Sequence, residues 1–162
     1  MKRTKKLTTL ALTVSLALIL SFVESRIPAL VAIPGVKMGL ANIAVIFALY
    51  KLGFKEAIGI SVIRVVLVSL LFGNIMSLAY SIAGAVLSLS VMFLLKRFTS
   101  ASTLGISISG GVTHNIAQVA VASLLLNTEV VLYYLPALLV SGSIAGVLVG
   151  IASALLIKRV KI

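Results

Sequence analysis

Pro34-Gly35-Val36-Lys37-Met38-Gly39-Leu40-Ala41-Asn42 lies between two long apolar runs, and its reading decides the fold. Proline fixes its own φ and disfavours helix at the residue before it, while glycine admits almost any turn. The chain is therefore expected to bend at Pro34-Gly35 and restart as a helix at about Val36. Lys37 would stand at the mouth of that helix and Asn42 about one turn inside. The apolar run before it is long enough for a membrane helix, and the run after it, to about Tyr50, is short for one. The bend is then a connection at one face of a bilayer, and the polar residues after it enter the bilayer with the helix.

Composition supports this. Of 162 residues, 61% are hydrophobic and 10% charged, against about 25% charged in a soluble domain. We read an all-α integral membrane protein, one domain over residues 1–162. The net charge of +11 is not a nucleic-acid footprint, because the basic residues fall in short clusters between apolar runs, as in cytoplasmic loops. There is no cysteine and no aspartate, and the acids are Glu24, Glu56 and Glu129. Disulfides, thiolate metal sites and thiol nucleophiles are excluded. The basic start and the run Leu7–Val23 read as an uncleaved first helix, since the run is long for a signal peptide and no Ala-x-Ala site follows.

Taken in order, the pattern predicts helices over about 7–23, 36–50, 56–72, 75–95, 102–126 and 131–157. The loop 24–35, holding Glu24, Arg26, Pro28, Pro34 and Gly35, forms an outer lid over the short second helix. Lys2, Arg3, Lys5, Lys6, Lys51, Lys55, Lys96, Arg97, Lys158, Arg159 and Lys161 then share one face, eleven of the fourteen basic residues. This asymmetry predicts six spans in the cell membrane with both termini cytoplasmic. Small residues at four-residue spacing allow close helix packing: Gly142, Gly146, Gly150 and Ala154 in helix six, Gly105, Ser109, Thr113 and Ala117 in helix five. In helix one the pairs Ala11/Ser15 and Thr13/Ala17 are candidates for docking a partner subunit.

Polar groups inside a bilayer are costly and are functional candidates. With this topology Asn42, Ser77, Tyr80, Ser81 and Gln118 fall in the outer half, and Arg64, His114 and Asn115 near the centre. The bias predicts a pocket open to the outer face, lined by Lys37, Asn42, Arg64, Tyr80, His114, Asn115 and Gln118. An arginine at mid-depth needs a partner, which Glu24, a backbone carbonyl or an anionic ligand would supply. Arg64, Lys37 and Arg26 together, with few acids, favour a ligand that carries negative charge or carbonyl oxygens. No metal-ligand cluster, phosphate loop or Ser-His-acid set is legible, so neither catalysis nor ATP hydrolysis by this chain is expected.

The motifs Pro34-Gly35-Val36-Lys37-x-Gly39-Leu40-Ala41-Asn42, Gly53-Phe54-Lys55-Glu56-Ala57, Arg64, Ser69-Leu70-Leu71-Phe72-Gly73 and Gly111-x-x-His114-Asn115-x-x-Gln118 resemble the family labelled heptaprenyl diphosphate synthase component I, also called the Gx transporter family. That family in turn resembles the substrate-binding S components of energy-coupling factor (ECF) vitamin transporters. The resemblance implies a six-helix bundle with a roofed outer pocket, a transmembrane coupling subunit and two ATPases as partners, and ATP used only through those partners. The expected function is capture of a small molecule for uptake, such as an isoprenoid or quinone precursor or a vitamin. The alternative is a non-catalytic membrane accessory subunit of heptaprenyl diphosphate synthase. The catalytic chains of such synthases use aspartate-rich motifs, and this chain has no aspartate.

Overall fold

The structure is a computed structural model that describes residues 3–27 and 38–160. Its described elements are all helices: α1 (Arg3–Arg26), α2 (Asn42–Lys51), α3 (Phe54–Phe72), α4 (Ile75–Phe98), α5 (Thr103–Leu126), a short 3-10 helix (Val130–Tyr134) and α6 (Leu135–Arg159). Three segments are long and apolar enough to cross a membrane: Arg3–Arg26, Ile75–Phe98 and Val130–Arg159. α3, with 19 residues, and α5, with 24, are more polar, since α3 carries Lys55, Glu56 and Arg64, and α5 carries His114, Asn115 and Gln118.

Two boundaries differ from expectation in ways that matter. α1 runs to Arg26, so Glu24 and Arg26 belong to its last turn and not to a loop. α2 begins at Asn42, so this asparagine opens the helix instead of lying one turn inside it. Gly39 takes a left-handed backbone with φ of 69°, a conformation that suits glycine, and the chain turns there before the helix can start. The remainder of the expected lid, Pro28, Pro34 and Gly35, lies outside the described residues, as does Lys37.

α2 has ten residues, about 15 Å of helix against a hydrocarbon core of about 30 Å. Ala44 through Leu49 are all buried, so this helix is enclosed around its whole circumference, in contact with α1, α3 and α6. Both of its ends are held by charged side chains from other helices. The Glu24 carboxylate accepts hydrogen bonds from the backbone N–H of Gly39 (2.6 Å) and Leu40 (3.1 Å). At the other end Lys96 Nζ donates to Leu49 O (2.7 Å) and lies 4.5 Å from the Tyr50 ring centre. An anion at the start and a cation at the end both complement the helix dipole and satisfy groups that lack intrahelical partners.

α2 packs into an apolar core with Ala17, Ala57, Ile60, Leu89, Met92, Ile106 and Val149. This core fills the end of the bundle where α1 and α3 begin and α2 and α4 finish. Lys6 pairs with Glu56 there, and Phe54 stacks on Phe93 at 4.3 Å. At the opposite end Phe22 meets Phe72 at 5.9 Å. The wall of α5 and α6 is the closest helix crossing. A methyl group at Gly146 would come within 2.6 Å of Ile108 Cα, and one at Gly150 within 3.0 Å of Leu104 Cα. The α6 stripe of Gly142, Gly146 and Gly150 thus packs as expected from spacing, while Ala154 is exposed. Its partner face on α5 is Leu104, Ile108 and Gly111 rather than Gly105, Ser109 and Thr113; the Ser109 and Thr113 hydroxyls bond back to their own helix.

In α1 the two candidate docking pairs separate. Thr13 and Ala17, with Ser21, are buried against the chain's own bundle. Ala11 and Ser15 are exposed. Thr13 and Ala17 are spent on internal packing, where small side chains let α1 lie close to its neighbours.

Candidate functional site

Above the core the helices diverge around a cavity of about 130 Å³, to which all six α-helices or the turns at their ends contribute. α5 supplies the most regular wall: Ser107, Gly110, Gly111, His114, Asn115 and Gln118. These positions recur at three and four residues, so they form one stripe. α4 faces them with Ser77, Ser81, Ser88 and Met92, again one stripe at helical spacing. Ser77 is placed by the reciprocal cap that starts α4: its N–H donates to Asn74 Oδ1 (2.8 Å), and its hydroxyl accepts from the Asn74 N–H (3.0 Å). The stripes approach closely because Gly84 has no side chain. A Cβ there would lie 2.9 Å from both His114 Cε1 and Gln118 Cγ.

Five of the expected site residues, Asn42, Arg64, His114, Asn115 and Gln118, line this cavity. Glu24 joins them from the end of α1, beside Gly39. Tyr80 is not among the lining residues. It stands roughly 80° around α4 from the Ser77–Ser81–Ser88 face, given about 100° per residue. Depth alone selected it, and depth does not fix the direction of a side chain. The helical period would have chosen Ser77, Ser81 and Ser88, which share a face with the Asn74 cap. Arg26 also points elsewhere: it is exposed, with its guanidinium 5.0 Å from the Phe22 ring centre, and it makes no ion pair with Glu24.

The polar groups in the cavity are not equally available. Both oxygens of Glu24 are engaged by the amides that open α2. Asn115 is buried, and its Nδ2 donates to Leu138 O of α6 at 2.5 Å, which ties the two helices together at the cavity wall. Ser88 Oγ donates to Gly110 O at 2.7 Å. Arg64 differs. Its Nε is buried with no hydrogen-bond partner among the described residues, and Glu24 is the carboxylate whose field acts on it. A buried donor left unsatisfied costs about 1–3 kcal/mol, and more when charged. The cavity therefore contains a cationic donor whose demand an acceptor from outside the chain would meet. Among the described residues no group of His, Asp or Glu could hold a metal ion.

Residues 13–156 match a family described as heptaprenyl diphosphate synthase component I. The chain belongs to that family. The match runs from the middle of α1 nearly to the end of α6, so it takes in every described wall of the cavity. The family description names a component of a synthase, and we read this protein as a non-catalytic member. No curated protein and no solved structure matches the chain.

Proposed function

We propose that this protein is a non-catalytic membrane subunit that holds a small ligand in the six-helix cavity and serves as an accessory component of heptaprenyl diphosphate synthesis. The observation that carries ligand holding is Arg64, a guanidinium facing a cavity without a hydrogen bond for its Nε. Asn42, His114 and Gln118 are the further contacts, and Asn115 acts by fixing the α5–α6 wall. The accessory role is the reading that the family description favours. In this reading the six-helix bundle lies in the cell membrane with the short α2 enclosed by its neighbours, the basic end of the bundle faces the cytoplasm, and the cavity opens to the other side.

A second reading has its own support. A polar cavity walled by every helix, and a small-residue face at Ala11 and Ser15 left exposed, suit a substrate-capture subunit that docks to an ECF-type coupling subunit with two ATPases. The two readings differ in partner. Purification of the tagged protein from its native membrane decides between them. Recovery of a soluble aspartate-rich synthase supports the accessory role, and recovery of a coupling subunit with ATPases rejects it for uptake. Ala11→Leu and Ser15→Leu should leave thermal stability unchanged and release whichever partner uses that face. If neither substitution weakens recovery, α1 is not the docking helix. Mass spectrometry of the gently purified protein tests ligand holding itself. Repeated preparations without a bound small molecule, together with no stabilisation by any candidate, would refute it.

A further inference from the structure

The cavity is not a compact bowl. Along α5 its lining runs from Gln118 to Ser107, eleven residues or about 16 Å of helix, and along α4 from Ser77 to Met92, about 22 Å. A volume of about 130 Å³ spread over such a length is a slender slot, parallel to the helices. Its chemistry changes along that length. The non-serine polar side chains Asn42, Arg64, His114 and Gln118 stand toward the Glu24 end, with Met38 and Val68 among them. Toward the other end the side chains are Ile46, Ala145, Met92 and Val149, between glycines 110 and 146. Ser88 there has spent its hydroxyl on Gly110 O. Ser107 has an unpartnered hydroxyl, but so does Ser153, which is not among the residues that line this cavity. A lone serine therefore says little about a ligand, whereas the Arg64 Nε is a demand of a different size.

We infer that the slot takes a slender amphiphile, with an anionic phosphate or carboxylate head against Arg64 and a single apolar chain lying between α4, α5 and α6 toward Met92. This rests on the ligand-holding reading above and adds the chemical class. The head belongs at Arg64 because a guanidinium presents a planar fork of donors matched to carboxylate and phosphate oxygens. The tail belongs in the deep slot because Ile46, Met92 and Val149 offer it no polar partner. Met92 is the one flexible, unbranched side chain on that floor, and it can shift to lengthen the slot. Glycines 110 and 146 let α4, α5 and α6 approach closely at this end, which suits a single chain. The same head chemistry is offered by a free single-chain amphiphile and by a bilayer lipid that inserts one chain.

The test uses the full-length protein in phosphatidylcholine nanodiscs, with four probes below their micellar concentrations: octyl phosphate, octanol, octyltrimethylammonium and inorganic phosphate. Binding is read by thermal stabilisation and titration calorimetry. Octyl phosphate should bind at least about 10-fold more tightly than octanol or inorganic phosphate, since head and tail contribute separately. Arg64→Gln should reduce octyl phosphate to the level of octanol. If that variant does not fold, Arg64→Lys should keep part of the affinity, having the charge but not the fork. Ala145→Leu, in the apolar end of the slot, should retain butyl phosphate and lose octyl phosphate. Discs containing phosphatidylglycerol separate the sources: competition that Arg64→Gln abolishes identifies a bilayer lipid, and absence of competition identifies a free amphiphile. Inorganic phosphate binding as tightly as octyl phosphate would overturn the tail while sparing the ligand-holding reading. Equal octyl phosphate binding by the parent and Arg64→Gln would overturn the head. If no probe of any class binds, the ligand-holding reading falls with it.

Discussion

Where α1 begins and α2 finishes, side chains fill the bundle: Ile46, Leu49, Ile60 and Leu89 are almost wholly buried in one apolar cluster. Where α1 finishes and α2 begins, the same helices leave a slot lined by Glu24, Asn42, Arg64 and Gln118. Ile46, Met92 and Val149 belong to both regions, forming the roof of one and the floor of the other. One half spends its sequence on packing. The other carries polar groups that weaken it, which is the usual compromise between stability and function. α2 joins the two, clamped by Glu24 on the cavity side and by Lys96 on the core side.

The sharpest test of that contrast is truncation in the core. Leu49→Ala removes a fully buried side chain from α2 and should cost about 3 kcal/mol by the cavity it leaves, measured by unfolding in detergent. Gln118→Ala, at the cavity wall, should cost well under that, because its neighbours face open space. If the two cost the same, the halves are not built differently.

Next come the clamps. Glu24→Gln keeps one acceptor oxygen but loses the charge that both amides share, at a cost of about 1.5 kcal/mol. Its clearest readout is faster amide exchange at Gly39 and Leu40. Lys96→Met should cost about 1 kcal/mol, through the lost bond to Leu49 O and the loss of a cation at the helix end. A larger loss for Lys96→Met than for Glu24→Gln would place the critical anchor of α2 on the core side.

The smallest effect has the opposite sign. Arg64→Met removes the unsatisfied Nε from the cavity half and should raise the stability of the ligand-free protein by about 1 kcal/mol, while abolishing ligand binding. A substitution of the same kind in the packed half, such as Ser61→Met, should destabilise by overfilling a buried position. Should Arg64→Met destabilise the ligand-free protein, the guanidinium is a structural strut held by Glu24.

Much of this molecule was legible from its residues. Long apolar runs ending in Lys51, Lys96-Arg97 and Lys158-Arg159 marked the helices, because a bilayer demands continuous hydrocarbon and leaves charge at the ends. The scarcity of charge excluded a soluble domain. The spacing of Gly142, Gly146 and Gly150 announced a close crossing, and Arg64 stood out because a charge inside apolar sequence is expensive. Other features depend on contacts between residues far apart in the chain, which periodicity cannot reveal. Glu24 reads as a loop residue in the sequence, because nothing nearby shows that its carboxylate will accept from amides fifteen and sixteen positions later. Thr13/Ala17 and Ala11/Ser15 are equivalent as patterns, and only the rotation of α1 about its axis decided which pair is buried. Tyr80 and Ser81 are neighbours at one depth, and only the facing of α4 toward α5 turned one into the cavity and the other away. Residue type and spacing determined which segments are helices and which side chains are costly. Tertiary packing decided where those side chains point, because the rotation of each helix is set by the neighbours it meets.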